Sequence, residues 1–442
     1  MIDIRLKSIT VFCTSLLLLV LPLTGCDLLE SDSSPDEFER QQLERDLTDA
    51  ETQIMQGTGN LGFDLLQTLQ DEEDHDNILI SPFSIQTAFA MVLNGADGDT
   101  YTQMQDVMGM EGLDSEVVNT SLADLNDLLI PFDENVRFAP ANAVWYDDTR
   151  TIQTGFQDAV EEYFDATVQA ADFVNSPETV RDEVNTWVAE KTEDRIDEML
   201  EEINPDLAML LVNAFYFDAE WTVPFDASNT EDRPFTRADS STIDVPTMWM
   251  EEGEATDLDV MGYTAGDTYE AVSIYYGDAG FNMTLVRPND GIALSDWIAD
   301  MEWNTWTALT GNLNYQTKVT LSLPHFEKEY EVEQLGSHME ALGMSDAFSE
   351  ERASFPGLFE NPESFFIDVG STKHKTFIRV DEEGTEAAGV TSIGFVGVGV
   401  SGPPKSVTVD LDQPFFYMIR ETDSEAPLFI GTITDPSELA LD

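Results

Sequence analysis

Apolar residues return every three to four positions in four stretches, 61–69, 85–94, 156–164 and 180–199, the spacing that lines one face of a helix. Farther along, short runs rich in β-branched and aromatic residues take over at 209–217, 271–276, 283–286, 319–323, 377–380, 406–411, 415–419 and 428–433. These runs predict strands. Helices crowd the first half and strands the second, without the regular alternation that a doubly wound parallel sheet requires. The pattern predicts an α+β domain built on large, mostly antiparallel sheets. No internal repeat or low-complexity linker interrupts it, so one domain over 51–442 is expected.

The first 50 residues read differently. Arg5 and Lys7 precede a mostly apolar run over 9–20, and Leu23-Thr24-Gly25-Cys26 then resembles a bacterial lipobox. The expectation is a lipoprotein signal peptide over 1–25, with Cys26 as the lipidated first residue of the mature chain. An ordinary signal peptide and a short membrane anchor are the alternatives, although the run is short for a spanning helix. Residues 26–50 read as an acidic, solvated tether grading into a helix near Gln41. The domain is thus expected in the cell envelope, lipid-anchored outside the cytoplasm on the periplasmic or extracellular face. The only cysteines are Cys13 and Cys26, one lost with the signal and the other lipidated, so no disulfide is expected.

Charge changes the picture again. The chain carries 87 Asp and Glu against 20 Lys and Arg, a net charge of −67, while 42% of residues remain hydrophobic. The acids are scattered from end to end, which fits a solvated surface on a folded core and not a disordered tail. Self-repulsion on this scale opposes the compact state unless salt screens it, so a high-salt, halophilic setting is expected. Nucleic acid is excluded as a partner for want of a basic patch. Loose cation binding is open to so many carboxylates, but no ordered calcium loop or metal spacing stands out, and no cofactor is expected.

The stretch Asp381-Glu-Glu-Gly-Thr-Glu-Ala-Ala-Gly-Val390 carries the most information. An acidic lead-in is followed by a glycine, a threonine and a run of very small side chains. Read with period 2, one face holds Thr385, Ala387, Gly389, Thr391, Ile393 and Phe395, and the other holds Glu386, Ala388, Val390, Ser392, Gly394 and Val396. Such a loop could enter a packed sheet without overfilling it, with Glu386 left on the solvent face. A plain surface loop between two strands is the bland alternative.

With Gln413-Pro-Phe-Phe-Tyr-Met-Ile-Arg420 downstream, this stretch resembles the reactive-loop hinge and C-terminal strands of the serpins. The likeness spans roughly 55–440. It includes Asn77-Ile-Leu-Ile-Ser-Pro-Phe-Ser-Ile85, Asn142-Ala-Val-Trp145, Asn185-Thr-Trp-Val188, Leu211-Val-Asn-Ala214, Leu323-Pro-His-Phe326, Leu342-Gly-Met-Ser-Asp-Ala-Phe-Ser349 and Leu428-Phe-Ile-Gly431. Each motif alone is weak; their order and spacing make the resemblance specific. It implies the serpin fold, helices around large sheets with an exposed reactive loop, in a monomeric chain.

The resemblance also implies roles. Glu382, Glu383, Gly384, Thr385, Glu386, Ala387 and Ala388 match the hinge, with Glu382 and Glu383 expected as solvated charges that keep the loop from docking early. Ser81, Ser84, Asn213 and His374 match the polar shutter beneath the point where the main sheet opens, and Trp221 the breach at its top. Core packing is the bland alternative for His374 and Trp221. The implied partner is a serine protease, trapped as a covalent acyl complex when its cleaved bait loop inserts into the sheet. Counting by the family's hinge spacing from Gly384 puts the cut at Val398–Gly399, whereas counting back from Pro414 and Phe415 moves it towards Val400 or Ser401. The candidates are small or aliphatic, which points to an elastase-like or subtilisin-like target and away from a trypsin-like one.

The chain needs no catalytic groups for this, and none is legible. Gly-x-Ser-x-Gly, His-Glu-x-x-His and paired-cysteine spacings are missing, and the four histidines are His75, His325, His338 and His374. Two other readings stay open: a non-inhibitory serpin-fold protein with a binding or chaperone-like role, and an acidic envelope lipoprotein that captures a small solute. The small residues of the hinge favour inhibition over the first.

Overall fold

Strands β2 (Val136–Asp147) and β4 (Met209–Glu220) run antiparallel through the middle of the largest sheet. Their residues explain why. In β4, Leu210, Val212 and Ala214 point to one face, and Phe215, Phe217 and Ala219 to the other, each set buried in a different hydrophobic cluster. A strand apolar on both faces has to be covered on both. Helix α6 (Pro177–Lys191) supplies one cover with Val180, Val184 and Val188, joined by Ile196 and Leu200 from the turn after it. The main core supplies the other. The structure is a computed structural model and describes residues 40–70, 77–133, 135–251, 260–332, 334–361, 365–385 and 406–436.

Six strands make up this main sheet, in the order β11 (Phe326–Val332), β12 (His374–Val380), β13 (Gly384–Thr385), β4, β2 and β3 (Thr167–Ala171). A second six-stranded sheet runs β1 (Ile78–Ile80), β16 (Pro427–Ile433), β15 (Phe415–Glu421), β9 (Phe281–Pro288), β8 (Tyr269–Tyr276) and β7 (Met261–Ala265). Every residue of β15 and β16 is buried, which matches their unbroken apolar runs. A four-stranded sheet holds β14 (Ser406–Asp410), β10 (Lys318–Pro324), β6 (Thr242–Glu251) and β5 (Glu231–Thr236). Only β2–β3 and β10–β14 pair in parallel among the described ladders. The expected α+β class with large, mostly antiparallel sheets is what the chain forms.

Helix α1 (Asp49–Gln70) packs on β16 and α2 (Pro82–Leu93) lies between β4 and β16, so α2 bridges the two large sheets. Ser81 starts α2: its Oγ accepts the Ser84 N–H at 3.3 Å and Pro82 fills the first turn. Two boundaries differ from the sequence expectation. Helix α1 begins at Asp49 and not near Gln41, because Thr48 and Glu51 form a reciprocal cap, the Glu51 N–H donating to Thr48 Oγ1 at 3.2 Å and the Thr48 N–H to Glu51 Oε2 at 2.7 Å. Residues 40–48 ahead of it are not a free tether. Gln41 N–H donates to the Asp278 carbonyl at 3.0 Å, Leu43 N–H to Asp423 Oδ2 at 2.9 Å, and Arg40 pairs with Asp423. Helix α6 stops at Lys191, short of residue 199, because Glu193 and Asp194 take left-handed backbone angles (φ 51° and 62°). Residues 1–25, with the expected signal, and Cys26 lie outside the described residues.

Candidate functional site

The hinge is a tight turn. Asp381 N–H donates to the Gly384 carbonyl at 3.0 Å, and the Asp381 carboxylate accepts the N–H groups of Glu383 (3.0 Å) and Gly384 (3.3 Å). An aspartate that satisfies the amides just after it is a common turn opener. The turn sends Gly384 and Thr385 back between β12 and β4, where Thr385 pairs with Val380 on one side and Ala219 on the other. Only glycine fits at 384. A Cβ there would lie 2.1 Å from the Ala219 carbonyl oxygen and 2.7 Å from Glu220 Cα, both backbone atoms that cannot step aside.

Trp221 organises the head of the sheet. Its ring stacks on Tyr276 at 4.3 Å and 12°, and its Nε1–H donates to the Asp381 carbonyl at 2.9 Å. Backbone bonds from Trp221 N–H to Glu383 O (2.8 Å) and from Phe225 N–H to Glu382 O (2.9 Å) fasten the turn to the segment after β4. Thr385 is buried beside this stack, where its hydroxyl shares a hydrogen bond with the Tyr276 hydroxyl. Burial holds the Tyr276 phenol well above the usual tyrosine range, so it stays neutral.

The acids of the hinge divide. Glu383 is exposed, and its charge is the lesser of two causes, after desolvation, that raise the Glu220 carboxyl above its ordinary value. Glu382 is not the solvated charge the sequence suggested. Its side chain is 17% exposed, it accepts from the Thr230 hydroxyl, and its second oxygen lies 3.0 Å from His325 Nε2. The hinge is docked with this acid in place, so Glu382 does not act by keeping the turn in water.

Among the described residues β12 and β4 share no ladder of their own; the two residues of β13 are all that joins them. A cavity of about 420 Å³ opens between the lower end of β4 and the segment before β12, lined by Phe89, Leu211, Phe355, Phe359 and Phe365 among others. Its walls also carry Arg150, Asp206, Asp368 and Lys373, so the surface is mixed and not a dry apolar one.

The shutter residues meet around the start of α2, in two arms. On the β4 side the Ser84 hydroxyl donates to Asn213 Oδ1, Asn213 Nδ2 to Asn142 Oδ1 at 2.7 Å, and Asn142 Nδ2 to the Phe164 carbonyl at 2.8 Å. On the β12 side the Ser81 N–H donates to His374 Nε2 at 2.9 Å. Accepting that bond requires a neutral imidazole, and burial pushes His374 down to about 3. The start of α2 joins the two arms, since it carries both Ser81 and Ser84. Sequence reasoning missed Asn142 as a member, although its motif was in view, and it missed Tyr276, Thr230 and His325 as partners of the hinge. Glu386, Ala387 and Ala388, and the bait candidates Val398, Gly399, Val400 and Ser401, lie outside the described residues. Among the described residues no group of acids, histidines or cysteines is arranged to hold a metal ion.

A main sheet entered by a two-residue hinge strand between β12 and β4 defines a class of protein, and comparison with known proteins gives the same answer. The chain belongs to the serpin family: the family model described as serpin (serine protease inhibitor) matches residues 56–436. Mouse antithrombin-III is 30% identical over 377 residues, 84% of this chain and 79% of that one. Human serpin B13 is 30% identical over 404 residues, 85% and 97% of the two chains. An uncharacterized serpin-like protein of Methanosarcina mazei is 29% identical over 388 residues, 87% of each. Among solved structures, the thermophilic serpin tengpin in its native state superposes with a TM-score of 0.75 at 27% identity, covering 91% of this chain and 97% of that one. The family is one of protease inhibitors and not of enzymes.

Proposed function

We propose that this chain inhibits serine proteases as a suicide substrate, with Val398–Gly399 as the bait bond. The observation that carries the reading is the hinge: Gly384 and Thr385 already lie between β12 and β4, and among the described residues no other ladder joins those two strands. The protease serine would attack the Val398 carbonyl, forming an acyl ester as the bond to Gly399 breaks and the new amino group of Gly399 leaves with a proton. The freed strand, roughly thirteen residues from Glu386 to Val398 and roughly 40 Å long when extended, is comparable with the 12-residue β4 beside which it would lie. Its ladder would satisfy the facing edges of β4 and β12, and this gain would draw the acylated protease along. The small and aliphatic bait Phe395-Val-Gly-Val-Gly-Val-Ser401 suits a small, apolar pocket of the elastase or subtilisin kind. The lipobox-like Cys26 and the acidic surface extend the proposal to a monomer tethered by lipid outside the cytoplasm, working in high salt.

Incubation of the chain with an elastase-like and a subtilisin-like protease in high salt tests this. The expected product on a denaturing gel is a protease adduct, with a released C-terminal peptide that begins at Gly399 by mass. Clean cleavage without an adduct, and without a rise in thermal stability of the cleaved chain, would overturn it.

A further inference from the structure

Two segments beyond the lower end of the main sheet are joined through their backbones. Ile152 bridges to Phe359, and the Glu360 N–H donates to the Thr151 carbonyl at 2.9 Å. That pairing lays the Arg150 guanidinium over two aromatic rings, 5.6 Å from the centroid of Phe359 and 5.1 Å from that of Phe365. The two rings meet at 4.9 Å and 51°. Both belong to the wall of the cavity of about 420 Å³ beside the start of β4, which Phe89, Phe355 and the exposed ring of Phe366 also line. The face of an aromatic ring carries partial negative charge, and Arg150 demonstrates that this wall accepts a cation.

Charge decides what else the cavity would take. Its two basic residues are already matched, since Arg150 Nε lies 3.5 Å from Asp147 and Lys373 Nζ lies 2.6 Å from Glu331. Asp206 and Asp368 on the same wall have no basic partner among the described residues. The Asp368 carboxylate accepts from the Ser371 hydroxyl at 2.5 Å, which holds it in place without offsetting its charge. The net charge of −67 adds a long-range preference for cations. We propose that this cavity binds a lipophilic organic cation, an aromatic or alkyl ammonium whose body lies among the phenylalanine rings and whose charge meets Asp206 and Asp368. The same acids turn away a carboxylate or sulfonate of equal shape. The site uses no residue of the hinge, and it does not depend on the inhibitory reading.

Calorimetric titration of the full chain with benzyltrimethylammonium tests the site. In about 1 M NaCl, loose attraction to the acidic surface is largely screened. One saturable site is expected, with the neutral benzyl alcohol and the anionic phenylacetate each binding roughly tenfold more weakly. Phe365→Leu keeps an apolar side chain and removes a ring face, so it weakens the ammonium by roughly fivefold and leaves benzyl alcohol unchanged. Asp206→Asn with Asp368→Asn weakens the ammonium by a similar factor and narrows its advantage over phenylacetate. Asp206 is exposed and Asp368 is half-buried, so this second variant is readable even where Phe365→Leu disturbs the fold. Equal affinity for the three probes would show a merely apolar hole and overturn the proposal. Heat that does not saturate, or an affinity that both variants retain, would mark loose counter-ion binding and overturn it as well.

Discussion

A buried histidine that accepts a backbone hydrogen bond has little freedom to carry charge. His374 is such a residue, with Ser81 N–H on its Nε2 and burial pushing it down to about 3. At the start of α2 it is therefore a neutral acceptor. The sign of the pH effect follows from linkage. An unfolded histidine titrates at about 6.5, so between there and about 3 the unfolded chain takes up a proton that the folded chain refuses. Stability contributed by neutral His374 is present above that window and is lost as pH falls through it, by on the order of 5 kcal/mol at the acid end. Urea unfolding between pH 6.5 and 4 is expected to show a slope shallower by about one proton in His374→Gln than in the natural chain. Equal slopes would mean that the ring accepts its proton in the fold. Ser81, Ser84, Asn213, His374 and Gly384 could be singled out in the sequence because each sits in a short motif that carries the family resemblance, and the structure brings the first four together around the start of α2. Thr230 and Tyr276 could not be singled out. Their partners Glu382 and Thr385 lie more than a hundred positions away, and one hydroxyl among many carries no mark of its partner.

At the scale of elements, the two residues of β13 act as a wedge. They complete a ladder at the head of the sheet, and among the described residues they are the strand that joins β4 to β12, so on the proposed mechanism this small strand is where insertion would begin. Thr385 suits this place because a buried site beside Trp221 and Tyr276 accepts a small side chain with one hydroxyl to share. Thr385→Arg would bring an unpaired guanidinium to that site, at a cost of several kcal/mol. The expected result is a chain that a protease still cuts in its loop but that forms no adduct, and whose melting temperature no longer rises on cleavage. A Thr385→Arg chain that traps as well as the natural one would show that the hinge need not enter here. The elements themselves were unevenly legible. The strongly apolar strands β15 and β16 were found almost to the residue, since a fully buried run leaves no other reading. Helices α3 (Gly98–Val107) and α4 (Ser115–Leu129) were missed. In α4 the buried positions Val118, Leu122, Leu125 and Leu129 are separated by acids and amides, and the helix start is marked by the Asp114 carboxylate accepting the Val117 N–H at 3.0 Å. A cap followed by a thin apolar stripe is a weaker signal than the dense stripe of α1.

The whole molecule carries its charge as a single object. With a net charge of −67 and 20 basic residues, pairing cannot neutralise the surface, and the remaining repulsion acts at every separation within a screening length. That length is about 10 Å at 0.1 M salt and about 3 Å at 1 M, so added salt removes most of the repulsion between neighbouring carboxylates well before it becomes a strong solute in its own right. Unfolding spreads the charges apart, and salt therefore favours the compact state. The melting temperature is expected to rise by on the order of 10 °C between about 0.05 and 1 M NaCl, most steeply at the low end. A rise that is linear in concentration and much larger for sulfate than for chloride would point to solute exclusion instead of screening. The intact and loop-cleaved forms make the sharper comparison. Both are compact and carry nearly the same charges, so screening lifts their melting temperatures together and leaves the gap between them unchanged. On the proposed mechanism that gap comes from the ladder formed between β4 and β12, and not from the surface. A gap that closes or widens by half as salt is raised would show that the acidic surface takes part in the energetics of loop insertion, and that surface repulsion and sheet completion are not independent terms.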